Sequence, residues 1–312
     1  MKNSKAILQV PGTMKIISAE IPVPKEDEVL IKVEYVGICG SDVHGFESGP
    51  FIPPKDPNQE IGLGHECAGT VVAVGSRVRK FKPGDRVNIE PGVPCGHCRY
   101  CLEGKYNICP DVDFMATQPN YRGALTHYLC HPESFTYKLP DNMDTMEGAL
   151  VEPAAVGMHA AMLADVKPGK KIIILGAGCI GLMTLQACKC LGATEIAVED
   201  MGADIVFETA GSAVTVKQAP YLVMRGGKIM IVGTVPGDSA INFLKINREV
   251  TIQTVFRYAN RYPVTIEAIS SGRFDVKSMV THIYDYRDVQ QAFEESVNNK
   301  RDIIKGVIKI SD

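Results

Sequence analysis

No stretch of the chain holds about 18 consecutive apolar residues, the length that spans a bilayer as a helix. The opening segment MKNSKAILQVPG carries no apolar core of the kind that marks a secretory signal. The expected location is therefore cytoplasmic. Positive charge is not in excess either: 33 Lys and Arg against 36 Asp and Glu leave a net charge of -3. That balance offers no attractive field to nucleic acid or to an anionic membrane. Internal repeats and low-complexity tracts are also lacking. What remains is ordinary globular material, 312 residues of which 45% are apolar and 22% charged. This suffices for a sizeable core and for two domains.

Cysteine is plentiful, with ten in the chain. Without a secretory signal, disulfides are a poor default. Four of the ten, Cys95, Cys98, Cys101 and Cys109, fall within CGHCRYCLEGKYNIC. Four soft anionic ligands with no open position describe a closed, structural zinc site. His97 lies in the same stretch, but four cysteines already complete a tetrahedral shell. Of Cys39, Cys67, Cys130, Cys179, Cys188 and Cys190, most read as small buried apolar residues. Cys39 is the exception.

The first half alternates β-branched runs, EVLIKVEYVGI and AGTVVAVG, with breakers such as PGDRV and EPGVPCGHC. This is the texture of an irregular, mostly β domain. Near Ala149 the rhythm changes. VEPAAVGMHAAMLA has helical spacing; the apolar strand KKIIIL then meets glycines, the helix-prone IGLMTLQACKCLGA and the strand EIAV. That is the β-α-β unit of a parallel sheet. ADIVFETAG and GGKIMIVGT supply further strands. After Tyr258 come two helices, YPVTIEAISSG and YRDVQQAFEESVNN, and a closing strand KGVIKI.

One junction does not work. After Val198 a helix and a third strand are due, yet ADIVFETAG follows almost at once, and a β-α-β unit needs about 30 residues. Either the chain carries a deletion, which opens the parallel sheet and strips a core face, or two segments are joined with the residues between them left out. The second reading is favoured. It predicts a spatial gap at or near Val198-Glu199, too wide for the ~3.8 Å of one peptide step.

Two dispersed motifs carry chemistry. Cys39 lies in GICGSDVH, His65 and Glu66 in GHECAG, and Glu152 in ALVEPAAVG. A catalytic zinc needs about three protein ligands and one exchangeable position, which Cys39, His65 and Glu66 or Glu152 could supply. The glycines of Gly176-Ala-Gly178-Cys-Ile-Gly181 follow a strand and open a helix. They allow a tight turn, close approach of a pyrophosphate and close helix packing, with free N–H groups at the helix start. An acidic ribose ligand belongs about 20 residues on. Asp200 is near that distance but sits at the broken junction, so the true ligand is expected in the absent stretch.

GHECAGTVVAVGSRV matches the pattern G-H-E-x-x-G-x5-G-x-x-V at every fixed position. With CGSDVH, the four-cysteine lobe and GAGCIG in the expected order, the chain resembles the medium-chain zinc-dependent alcohol dehydrogenases over almost its whole length. ALVEPAAVGMHA, the FMAT segment around Phe114, and Val255-Phe256-Arg257-Tyr258 make it most similar to the sorbitol (L-iditol) and xylitol dehydrogenase branch. The resemblance implies an α/β fold: a Rossmann doubly wound parallel sheet plus a GroES-like, mostly β catalytic domain. The catalytic domain would span 1-154, with a zinc lobe at 91-110; the Rossmann domain would span 155-256, and 257-312 would return to the catalytic domain.

The same resemblance implies Cys39, His65 and Glu66 on a catalytic zinc, water in a fourth position, and Glu152 beside it. In the alcohol dehydrogenases proper, a cysteine stands where this chain has Glu152. A carboxylate there can accept a hydrogen bond from a polyol's second hydroxyl. Two zinc ions per chain, NAD and a homotetramer are implied. NAD would rest on Gly176, Gly178, Ile180, Gly181, Val232, Gly233, Thr234, Val255, Phe256 and Arg257. Substrate would meet Ser41, Phe114, Glu152, Arg257 and Tyr258. Its proton would leave through Ser41 and His44, or through the zinc water and Glu152. The expected reaction is reversible oxidation of a sugar-alcohol secondary hydroxyl to a ketose. The alternatives are a threonine or butanediol dehydrogenase of the same superfamily and, in another class, a truncated, non-catalytic zinc-binding protein.

Overall fold

The computed structural model describes residues 3–194 and 202–311. EIAV, Asp200 and the Val198-Glu199 junction lie outside the described residues. The chain divides into two units, one formed by Met1–Glu152 with Val276–Asp312 and the other by Pro153–Asp275.

The first unit is built around the strand Glu28–Gly37. It pairs antiparallel with Glu66–Val74, with Tyr128–Pro132 and with the returning strand Lys305–Lys309. Val29, Ile31 and Val33 enter one core, as the two-residue period of a strand requires. A register shift between Val33 and Tyr35 then puts Val36, and Ile38 beyond it, into that core. Gly37 and Cys39 are left on the opposite face. Gly37 stands opposite both Glu66 and Val307. Cys67 and Ile308 occupy the core, so Glu66 and Lys305 share the face of Gly37. One irregularity in one strand thus decides which side chains can meet.

In the second unit, four strands form a parallel sheet in the order Ile172–Leu175, Ala203–Glu208, Val223–Ile231, Thr251–Thr254. Among the described residues, Ile172–Leu175 has one strand neighbour, Ala203–Glu208. The helix Val151–Leu163 approaches the helix Cys179–Cys190 closely: a Cβ at Gly157 would lie 2.6 Å from the Met183 backbone. Residues 257–275, read from sequence as the return to the first domain, cluster instead with the second unit, and the return begins at Val276. The reason is local: Cys190 Sγ donates to Arg273 O and Gln186 Nε2 to Asp275 O, which ties this segment to the Cys179–Cys190 helix.

Candidate active site

Cys39 caps the helix Gly40–Ser48, and Asp42 in its first turn accepts the Cys39 N–H at 3.2 Å. Helix N-termini favour an acidic residue at this position. The other Asp42 oxygen accepts the Gly64 N–H at 2.9 Å and lies 3.6 Å from His65 Nδ1. One buried carboxylate therefore fixes both chain segments that carry the motif residues. Ligand atoms of Cys39, His65 and Glu66 all lie within 4.8 Å of one another. Burial works against a charged His65, but Asp42 and Cys39 outweigh it and hold the imidazole well above the ordinary histidine range. Burial likewise opposes the Asp42 charge, and His65 with the two N–H donors outweighs it, so the carboxyl sits below its usual value.

A thiol, an imidazole and a carboxylate converging at this spacing fit a zinc ion with room for a further ligand. Asp42 beside the imidazole is the partner that orients a metal-bound histidine. Phe114 is buried, and its ring lies 5.5 Å from that of His65, walling one side. Glu152 is buried but is not among the three converging residues. It acts electrostatically on Glu90, whose carboxyl accepts from Tyr137 at 2.8 Å. Burial pushes Glu90 up to about 7, with the charge of Glu152 adding to the rise. Ser41 is exposed on the Gly40–Ser48 helix, and His44 stacks on Phe51 with ring centres 3.9 Å apart.

In the lobe, the sulfur atoms of Cys95, Cys98, Cys101 and Cys109 form a second convergent group. Gly96 and Gly104 turn the chain at φ +78° and +73°, a region that glycine enters freely. The Cys98 N–H donates to Cys95 Sγ and the Cys95 N–H to Cys109 Sγ. Backbone donors from His97 and Cys98 draw the Cys95 thiol down to about 6, while burial and neighbouring thiols push Cys101 up to about 12. Four thiols so placed cannot all ionise without a cation, and zinc is the one their chemistry fits. His97 turns away to the Cys95 carbonyl, at 2.9 Å.

At the glycine turn the three positions behave differently. Gly176 has φ +121°, and a Cβ there would lie 2.7 Å from Thr209 Oγ1. A Cβ at Gly181 would lie 2.0 Å from Gly176 O, whereas one at Gly178 would meet nothing within 4 Å. Turn, open approach and close packing are the three roles of a dinucleotide-binding fingerprint. Ile180 sits in the first turn of the following helix. Glu208, at the end of its strand, accepts the N–H groups of Val232 and Gly233 on its carbonyl, and Gly211 N–H and Thr215 Oγ1 on its carboxylate. A Cβ at Gly211 would lie 2.7 Å from Thr234 O, so the Val232–Thr234 turn is held by close backbone packing. Val255 follows the last strand, donating its N–H to Ile231 O. Arg257 has φ +50° and lies over the Phe256 ring, 4.8 Å from its centre; Tyr258 is buried against Tyr262.

Sequence reasoning did not find Asp42, Glu90, Glu208 or Lys305. Asp42 lies inside GICGSDVH, and its place three residues after Cys39 is the available signal. Glu90 was hidden in EPGVPCGHC, read only as a breaker.

The alcohol dehydrogenase GroES-like domain model matches residues 25–141, and the zinc-binding dehydrogenase model matches residues 197–271. The chain is 38% identical to sorbitol dehydrogenase of Bacillus subtilis strain 168, over 97% of this chain and 96% of that protein. It is 90% identical to the zinc-type alcohol dehydrogenase-like protein YdjJ of Escherichia coli strain K12, over 100% of both. That alignment runs over 347 positions against 312 residues here, so the relative has positions this chain lacks. A zinc-binding dehydrogenase of Sinorhizobium meliloti 1021, solved bound to NADP, superposes with a TM-score of 0.90 at 26% identity, covering 99% of each chain. The chain belongs to the zinc-dependent medium-chain alcohol dehydrogenase superfamily, with its GroES-like and Rossmann-type domains. Within it, the chain falls in the sorbitol dehydrogenase branch, an oxidoreductase group that uses zinc and a nicotinamide cofactor.

Proposed function

We propose that this protein oxidises a secondary hydroxyl of a sugar alcohol to the corresponding ketose and passes the hydride to NAD. The observation that carries the reading is the buried Cys39, His65 and Glu66 group, with its ligand atoms within 4.8 Å. Glu152 stands where simple alcohol dehydrogenases have a cysteine, and this points to a substrate with a second hydroxyl.

Cys39, His65 and Glu66 would hold a zinc ion there, which would supply the Lewis acidity that lowers the pKa of the alcohol. The chain's own groups do the rest. Asp42 holds the His65 ring and the Cys39 turn. Phe114 excludes water beside His65. Glu152 accepts a hydrogen bond from the neighbouring hydroxyl, and Ser41 Oγ passes the proton toward His44. Gly178 leaves open space where a pyrophosphate would approach the backbone, and the Val232–Thr234 and Val255–Arg257 segments would complete the cofactor site. Cys95, Cys98, Cys101 and Cys109 would hold a second, structural zinc. The working protein is a cytoplasmic homotetramer.

Steady-state rates with sorbitol, xylitol and iditol, set against 2,3-butanediol and threonine, each with NAD and NADP, test this. Turnover of butanediol or threonine without any polyol would overturn it. A second reading draws on the positions lacking relative to YdjJ. If the cofactor domain is truncated, the protein binds zinc but performs no hydride transfer. An intact mass of 33.9 kDa together with no NAD or NADP binding in calorimetry would favour that reading.

A further inference from the structure

Lys305 is 267 residues from Ile38 in sequence, yet its Nζ donates to Ile38 O at 2.9 Å, beside Cys39. The same Nζ forms an ion pair with Glu66 Oε2, and the two side chains are 2% and 1% exposed. The sheet register brings them together, since Val307 and Glu66 flank Gly37 on its two sides. Gly37 also makes the room. A Cβ there would fall 2.0 Å from Glu66 Oε2 and 3.1 Å from Lys305 Cε. A lysine is almost never fully buried without a partner, and nothing in the proposed hydride transfer uses this one.

We propose that Lys305 is a positioning residue, the resident counter-charge of Glu66, which keeps the metal-free site folded at the cost of weaker zinc binding. This rests on the reading of Cys39, His65 and Glu66 as a zinc site. Without metal, a buried carboxylate needs a positive partner, and removing one member of a buried pair is strongly destabilising. When zinc arrives it supplies positive charge itself, and Lys305 then repels it while still holding one carboxylate oxygen. Lys305 thus stabilises the empty site more than the filled one. A residue that only braced the fold would do the reverse, because its loss would loosen the ligands and weaken binding.

The experiment compares wild-type protein with Lys305→Met, Lys305→Arg and the double variant Lys305→Met/Glu66→Gln. Metal-free melting temperature and zinc affinity by chelator competition are both read. Cys39→Ser identifies which binding phase belongs to this site. Lys305→Met is expected to melt lower when metal-free and to bind zinc about tenfold more tightly at that phase, with Lys305→Arg close to wild type. The double variant is expected to recover metal-free stability, since no charge is left to balance. Weaker or unchanged zinc binding in Lys305→Met overturns the proposal. If Lys305→Met does not fold, recovery in the double variant supports it, and failure of both overturns it. A wild-type protein that loses no zinc-binding phase on Cys39→Ser overturns the zinc-site reading itself, and the proposal with it.

Discussion

Asp42 receives the Cys39 and Gly64 N–H groups and faces His65 from a position without solvent. An asparagine has the same shape but no charge, so Asp42→Asn tests the charge alone. Zinc affinity at the Cys39 group is expected to fall roughly 10–100-fold, measured by chelator competition, while cofactor affinity holds. Two other buried residues make stability depend on pH. Burial pushes His131 down to about 4, and burial followed by the Arg261 charge does the same to His159. Between the ordinary value of 6.5 and about 4, the unfolded chain takes up a proton that the folded chain refuses. The stability from neutral histidine is therefore present above pH 6.5 and lost as pH falls toward 4, by roughly 3 kcal/mol for fully buried His131. Melting temperature followed across that window should drop steadily, and His131→Gln should flatten the slope.

The glycine turn offers a sharper comparison, because neighbouring glycines do different work. Gly178 has φ -78° and ψ -175°, which any residue adopts, and open space beyond its Cα. Gly178→Ala should melt like wild type yet bind cofactor more weakly, since its methyl group enters the space a pyrophosphate needs. Gly181→Ala drives a methyl group into Gly176 O and should cost at least about 1–3 kcal/mol of stability. Equal effects of the two on denaturation and on cofactor titration would refute the division of roles. The lobe gives a parallel contrast. Cys98→Ser opens a closed four-sulfur site and should lower melting temperature and zinc content. Cys39→Ser should remove the zinc of its own site and turnover, leave the lobe zinc, and change the melting temperature of the zinc-free protein little.

What could be read in advance follows how far apart the partners lie in the chain. The four lobe cysteines and the three fingerprint glycines sit close together in sequence, so spacing alone exposes them. The strands and helices on both sides of the glycine turn were legible for the same reason, through periodicity. Lys305 and Glu66 meet only because of a bulge between Val33 and Tyr35 and the register of a strand from the far end of the chain. Neither leaves a local mark. The boundary of the first unit lies later than the sequence suggests because the helix Tyr262–Ser270 looks the same whichever unit it packs on; the Gln186 and Cys190 bonds reach Asp275 and Arg273, just after that helix, and tie this segment to the second unit. Cys39, His65 and Glu66 were nameable only through the family pattern, since none of them is distinctive alone.

The interleaving of the two units also orders events during synthesis. Pro153–Asp275 is continuous and complete before translation ends, whereas the first unit waits for Val276–Asp312. At about 5–20 residues per second, the stretch between Ile38 and Lys305 takes at least ~13 s to make. Late in that interval Cys39, His65 and Glu66 have left the ribosome, but the strand that closes their sheet does not yet exist. The nascent chain therefore presents a thiol and a carboxylate without their lysine, and a ribosome-bound intermediate stalled before residue 305 should be more open to thiol-reactive reagents at Cys39 than the released protein.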